Sequence, residues 1–573
     1  MFLTENASRS YPLPTGVFMS VLMITITRRL PVGLALLALP LAARAQSGNN
    51  GLEGAQIHGD FQTDVQSYKA DPAIGAPAVP ERIRSNTFAN LILTAGKFSA
   101  GVRYEAYLPP LQGFDQRYNG QGVPYRYATY DAGRLAVTVG NFYEQFGSGL
   151  VFRAYEERNL GIDTSIDGLR VRLQPVPGVR LTGLIGKQRY FFDKAPATVR
   201  GVDAEVSLNE LLPGLDSAAT RLTVGGSFVS KYQAADDPAL ILPENVGAGA
   251  GRLSISNGGF VFNAEYARRA NDPSVANNFI YRKGESLLVT SSYARNGFGI
   301  VAGLKRVDNF DFRTDRNATG ILNRLNFLPA LTKQHTYLLA ASIYPYATQP
   351  LGEVSGQLEV TYHLPSGPVG GHYGTDIALN YSAVNNLDTT PLNDQQTTRQ
   401  GYTSDFFKVG GTPYFRDFNV EVHRRFSKKV KANAMYAHFV YNKDVVEGVA
   451  GFGTITSDLG VVDVAYKFST KHSLRGELQT LQTKRDQGSW AAALLEYTYS
   501  PHFFATAYDQ YNYGNDDPTK QIHYLVGQVG YIGGTTRIAV GYGRQRAGIV
   551  CVGGVCRYVP ASNGATLSIT SSF

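Results

Sequence analysis

NGATLSITSSF, residues 563–573, is a two-faced strand that runs to the final residue. Leu567, Ile569, Ser571 and Phe573 fall on one side of an extended chain, and Thr566, Ser568, Thr570 and Ser572 on the other, because successive strand side chains point to opposite faces. Terminal residues of a soluble domain usually fray. A strand that closes a sheet upon itself has to persist to its last residue. The expectation is therefore a ring, in which this strand pairs with the first one, near residues 55–69.

The same alternation continues upstream. In VVDVAYKF, Val462, Val464, Tyr466 and Phe468 oppose Asp463, Ala465 and Lys467. Leu495, Tyr497 and Tyr499 oppose Glu496 and Thr498, and Ile538, Val540 and Tyr542 oppose Arg537 and Gly541. Tyrosines gather at strand ends beside short turns such as Phe468-Ser469, Tyr499-Ser500 and Gly533-Gly534. Aromatic girdles at a bilayer interface, with short turns on one side and long loops on the other, are features of transmembrane barrels.

Composition agrees. Charged residues make up 17% of the chain, against about 25% in soluble domains, yet mean hydropathy is only −0.16. Past the N-terminal region no apolar run reaches the length of about 18 residues expected of a membrane helix. A barrel strand hides half its side chains from lipid, which keeps mean hydropathy near neutral. Short turns are expected near 96–100, 131–133, 174–178, 209–218, 257–259, 295–297, 329–333 and 364–370, besides those above. The tally is an all-β, single large antiparallel transmembrane β-barrel of about 26 strands, with 24 the next choice and a polar interior partly filled by inward-folded loops.

Arg28 and Arg29 precede the apolar stretch LPVGLALLALPLAARA, which ends in the small-x-small triplet Ala43-Arg44-Ala45. Residues 1–45 read as a secretory signal with Met19 or Met23 as a candidate start, and 46–573 as the barrel. Alternation resumes at about residue 55, so neither an N-terminal plug nor a periplasmic domain is expected. Cys551 and Cys556 bracket Gly553-Gly554. In an exported protein they read as a disulfide closing a loop tip.

One segment carries the functional expectation. VGNFYEQFGSGLVFRAYEERNLGIDTSIDGLRV, 139–171, mixes Glu144, Arg153, Glu156, Glu157, Arg158, Asp163 and Asp167 with Phe146, Leu150, Val151, Phe152 and Tyr155. Charges of both signs beside an apolar cluster suit an element folded into the lumen better than an exposed tip. Opposed charges across a constriction select permeants by size and sign. The aromatics of 108–127 (Phe114, Tyr118, Tyr125 and Tyr127) read as interface belt and turn residues, and 385–413 as exposed surface.

The runs GNFYEQFGSGLVFRAYEERNLGIDTSIDGLRV, LPALTKQHTYLLA and CVGGVCRYVPASNGATLSITSSF together resemble a family of uncharacterised Gram-negative outer-membrane β-barrel proteins. The resemblance implies the barrel fold and the outer membrane, but no substrate. A fainter similarity to alginate-export-type porins rests on the glycine-begun strand and the Asp167-Gly168 return. Asn141 stands where those porins have arginine, so no polysaccharide assignment follows. The terminal Leu567, Ile569 and Phe573 look like an insertion signal, which makes the barrel-insertion machinery and outer-membrane lipid expected partners.

No catalytic, cofactor or metal motif stands out. The nine histidines are scattered and form no metal-ligand spacing. The +8 net charge lies in no basic block, which argues against nucleic acid. Two functions remain. One is a passive channel or facilitator for small or oligomeric solutes, with loop 145–165 as constriction. The other is a closed barrel acting as a structural or binding partner of a secretion or surface-assembly complex.

Overall fold

A computed structural model describes residues 54–573; the predicted signal segment 1–45 lies outside the described residues. Twenty-four antiparallel strands form one sheet whose first and last members pair, so the sheet is a closed ring. The closing seam joins Ala55–Ser67 to Ser562–Ser572, with Asp60 opposite Ser572 and Gln66 opposite Thr566. Phe573 and Gly59 then exchange two backbone hydrogen bonds of 3.0 Å. A side chain at Gly59 would meet the Phe573 ring at 2.5 Å, so glycine is what lets the terminal aromatic fold across the seam.

Strands are joined at one end by tight turns such as 96–97, 258–259 and 534–535, where Gly96, Gly258 and Gly534 take positive φ as two-residue hairpins require. The other end carries the long connections. The expected 26 strands are corrected to 24, and the surplus has one source. The expected turn at 329–333 does not exist as a turn of the wall. From Asp308, where one strand ends, to Gly352, where the next begins, the chain makes a single excursion. Leu338–Ser342 within it is a short helix, in keeping with LLAAS, whose residues form helix readily and do not alternate.

The outer face is apolar. Val462 is 54% exposed, Leu478 66% and Leu495 51%, a state that only lipid makes favourable for neighbouring strands. At the short-turn end Tyr466 and Phe468 pack edge to face, Tyr499 stacks near Phe503, and Phe503 meets Tyr531. That belt matches an aromatic girdle at the bilayer interface. No helix among the described residues is long and apolar enough to cross a membrane; the strands do the crossing. The protein is an outer-membrane, multi-pass β-barrel, because a closed sheet with a greasy exterior leaves no edge unpaired in lipid.

The interior corrects the expectation of a polar lumen. Along Thr220–Tyr232 the inward side chains run from exposed Arg221 at the short-turn end to buried Val229 and Lys231 at the other. Along Gly352–Leu364 they run from buried Glu353 and Ser355 to exposed Thr361. The short-turn half is thus a polar vestibule, and the long-loop half is filled. Two apolar clusters occupy the filled half. A segment folded inward needs apolar partners on the wall, so there the inward positions are Val199, Val229, Phe415, Phe439 and Leu459 instead of polar residues.

Candidate functional site: the lumen plug and its charged seam

Three elements fill the lumen. The first is 143–165, between Leu135–Phe142 and Ile166–Leu173. Its first half is an apolar wedge: Leu150, Val151 and Phe152 are 0% exposed and pack with Phe146 against Leu184, Val199, Val229 and Val246 of the wall. The second is 309–351, whose Phe310, Phe312 and Leu325 join the same cluster. Its Leu339, Tyr344 and Tyr346 pack on Phe415, Tyr441, Leu459 and Trp490 on the far side. The two elements are stitched together, with the Arg153 amide donating to the Leu325 carbonyl at 2.7 Å and the Phe327 amide to that of Gly149 at 2.9 Å.

The third element is a hairpin, Gly548–Val552 and Val555–Val559, closed by the disulfide Cys551–Cys556. It is not an exposed tip. The Thr348 amide donates to the Gly554 carbonyl at 3.0 Å, and Arg557 donates to the Asn159 carbonyl at 2.9 Å. Gly554 has φ +88°, and a Cβ there would sit 2.5 Å from the Thr348 hydroxyl, so the tip fits the plug only as glycine. Gly554 borders both a cavity of about 20 Å³ lined by Tyr155, Asp311 and Arg324 and one of about 110 Å³ lined by His335, Tyr344 and Phe439.

The charged half of 143–165 seats on the wall differently from its wedge. Asp163 accepts from Arg189 at 2.6 Å, from the Tyr143 hydroxyl at 3.0 Å, and from Arg103. Glu156 pairs with Arg103 at 3.0 Å and with Arg158 at 2.8 Å. Behind them Glu105 takes a two-pronged pair from Arg189 at 2.6 and 2.7 Å, and one bond from Arg103 at 2.7 Å. Arg103, Glu105 and Arg189 are nearly fully buried wall residues. Burial alone would raise the Asp163 carboxyl, but the Arg189 and Arg103 guanidiniums outweigh it and hold it below the usual carboxylate range. At the edge of this seat Arg158 reaches the Gln62 side chain at 3.0 Å and Asp60 at 3.9 Å. The side chains of Arg158 and Asp60 are 24% and 46% exposed, so the seam there is hydrated.

The expected constriction residues separate. Glu156, Arg158 and Asp163 converge on the seam. Glu144 lies inside the lumen on Arg172, at 2.7 Å, and Arg170. Glu157 caps a short turn through the Asn159 amide. Arg153 is away from the seam, its guanidinium 4.0 Å over Phe327 and 4.5 Å over Tyr155. Asp167 is outside altogether: it shares the outward side of its strand with exposed Leu169 and pairs with Lys194 at 2.8 Å and Arg126 at 3.6 Å.

Sequence reading missed Arg103, Glu105 and Arg189, although Arg103 and Glu105, two apart in one strand, necessarily share a face. The aromatics of 108–127, expected at the interface, face inward instead. Tyr118 stacks on Tyr107 at 4.6 Å, Tyr125 stacks on Tyr143 at 5.2 Å, and Arg103 lies 4.7 Å over Tyr125. The segment 385–413, expected as loose surface, is mostly the extended ends of Thr375–Pro391 and Tyr402–Arg425.

No curated protein matches the chain. The sequence matches the "Family of unknown function (DUF6029)" over residues 21–573. Among solved structures it is similar to the P pilus usher (PapC) translocation pore, at 10% identity over 90% of this chain and 99% of that one, with a TM-score of 0.41. It is similar also to the siderophore receptor PirA from Pseudomonas aeruginosa, at 12% identity over 92% and 81%, TM-score 0.38. A third is a BenF-like porin from Pseudomonas fluorescens Pf-5, at 8% identity over 91% and 100%, TM-score 0.31.

Proposed function

The chain belongs to the family of unknown function DUF6029, and we propose that it works as a passive channel or facilitator for small or oligomeric solutes, with loop 145–165 as its constriction. The observation that carries this reading is the polar seat of the loop. A permanent seal between two protein surfaces is made at least cost by apolar side chains, since buried ion pairs rarely outdo them. Here the wall beneath the loop keeps Arg103, Glu105 and Arg189, the residues of a surface that meets water when the loop lifts. The hydrated edge at Arg158 and Asp60 continues towards the vestibule and gives a solute its route.

Planar-bilayer conductance tests the reading. Wild-type protein gives small ohmic steps, and deletion of 146–162 enlarges them. If the deletion variant folds as a barrel and its current and selectivity match the wild type, the loop is not the constriction.

The second reading is a closed barrel that serves as a partner of a secretion or surface-assembly complex. The apolar packing of 309–351 against Phe415, Phe439 and Leu459 favours it, because that contact gains nothing from opening. Silence in the bilayer from a folded wild-type barrel, together with co-purification of other chains from native membranes in mild detergent, supports this alternative.

A further inference from the structure

The outward pair of Asp167 leads to a surface on the lipid side of the wall. Asn141, Asp167, Lys187, Thr198 and Tyr232 are successive register partners across five neighbouring strands, and directly paired residues share a face. That face is the outer one, because Val139, Leu169 and Ile185, one pair nearer the short turns and two positions along each strand, are 51%, 40% and 45% exposed. Arg126 joins the row beside Asn141, whose side chain takes its amide hydrogen at 3.0 Å. Arg200, opposite Ile185, and Lys194, bonded to Asp167, flank it. The side chains of Arg126 and Lys194 are 56% and 48% exposed, and Lys187 and Arg200 are exposed.

Four cations around one carboxylate therefore stand just beyond an exposed apolar row, on the long-loop side of the membrane. Tyr232, with an exposed ring at the end of the row, marks the interface, where amphipathic rings settle. Elsewhere on the wall the outward rim is acidic: Asp458, on the same face as exposed Val462, is held by Tyr436 and His438. A basic cluster against lipid has no water to neutralise it in the plane below, and long basic side chains lift their charge to the headgroup level.

We propose that Arg126, Lys187, Lys194 and Arg200 form a docking surface for the phosphorylated glycolipid of the outer leaflet. The sugar-borne phosphates pair with the cations, and the acyl chains lie on Leu169, Ile185 and Val202. Asp167 holds Arg126 and Lys194 apart in a fixed span, so that the phosphates meet a preset pattern. This goes beyond any role in solute passage, and none of the four cations touches the plug seam.

The test is native mass spectrometry of the full-length protein, purified from outer membranes in mild detergent and titrated with diphosphorylated lipid A or its dephosphorylated form. The wild type retains the diphosphorylated lipid and not the dephosphorylated one. The triple variant Arg126→Ala, Lys187→Ala, Arg200→Ala binds it about a hundredfold more weakly, at roughly a factor of five per basic residue near an anionic surface. Lys187→Arg binds as the wild type does. An unchanged melting temperature confirms that the outward substitutions leave the barrel intact. Equal retention by the triple variant overturns the proposal. So does displacement of the lipid by millimolar inorganic phosphate, which would make the surface a free-anion site.

Discussion

Asp163 is the residue on which the loop's charged half turns, since two wall guanidiniums and a tyrosine hydroxyl meet on it. Asp163→Asn leaves Arg103 and Arg189 in excess around Glu105, a break in a buried ion pair that costs about 3–5 kcal/mol. Its expected outcome is a lower melting temperature and a larger conductance than the wild type. The acid response has the same origin. A carboxyl held below its ordinary value contributes fully above the unfolded pKa of about 3.9, and the contribution fades only as pH falls through the depressed value. Conductance is therefore flat from pH 7 to pH 5 and rises only in stronger acid; a rise near pH 6 would speak against an Asp163 seat. Arg158 and Arg153 divide in the same spirit. Arg158→Gln shifts the reversal potential toward cations, because its charge is on the hydrated seam. Arg153→Gln, removed from between two rings, leaves it where it was, and measurement of both in one salt gradient separates them.

Among the elements, the disulfide hairpin joins the parts of the plug, touching Ala330 and Thr348 on one side and Asn159 on the other. Replacing Cys551 and Cys556 with serine frees a short loop, which the chain-entropy account values at about 2 kcal/mol. Thermal unfolding of the double serine variant then begins at lower temperature than that of the oxidised protein, while the reduced wild type matches the variant. The elements were also unequally legible in the sequence. The wall strands around Val462–Tyr466 and Leu567–Phe573 announce themselves, because one face meets lipid and the other does not, and period two follows. The inward fold of 143–165 could be suspected from FGSGLVF, an apolar cluster too large for an exposed tip. The excursion 309–351 could not, because NFDFRT alternates like a strand while Phe310 and Phe312 pack inside the lumen. The same blindness affects Asp167 and Tyr118, since alternation gives two faces but not which of them is inward beside a long loop.

At the scale of the whole molecule, ring closure and filling are one arrangement. Twenty-four strands enclose more space than wall side chains alone can occupy, and the chain fills the long-loop half with its own segments while leaving the short-turn half polar. Lipid outside, packed apolar residues at the centre and charged seams between plug and wall make three distinct environments, each with its own composition. Hydrogen–deuterium exchange on the folded protein in detergent tests this most directly. Peptides covering 146–152 and 310–328 are predicted to exchange as slowly as the wall strands, and far more slowly than the outer connection 392–400. Exchange of those peptides at the rate of the outer connection would mean that the lumen is not filled by these segments, and would contradict the account.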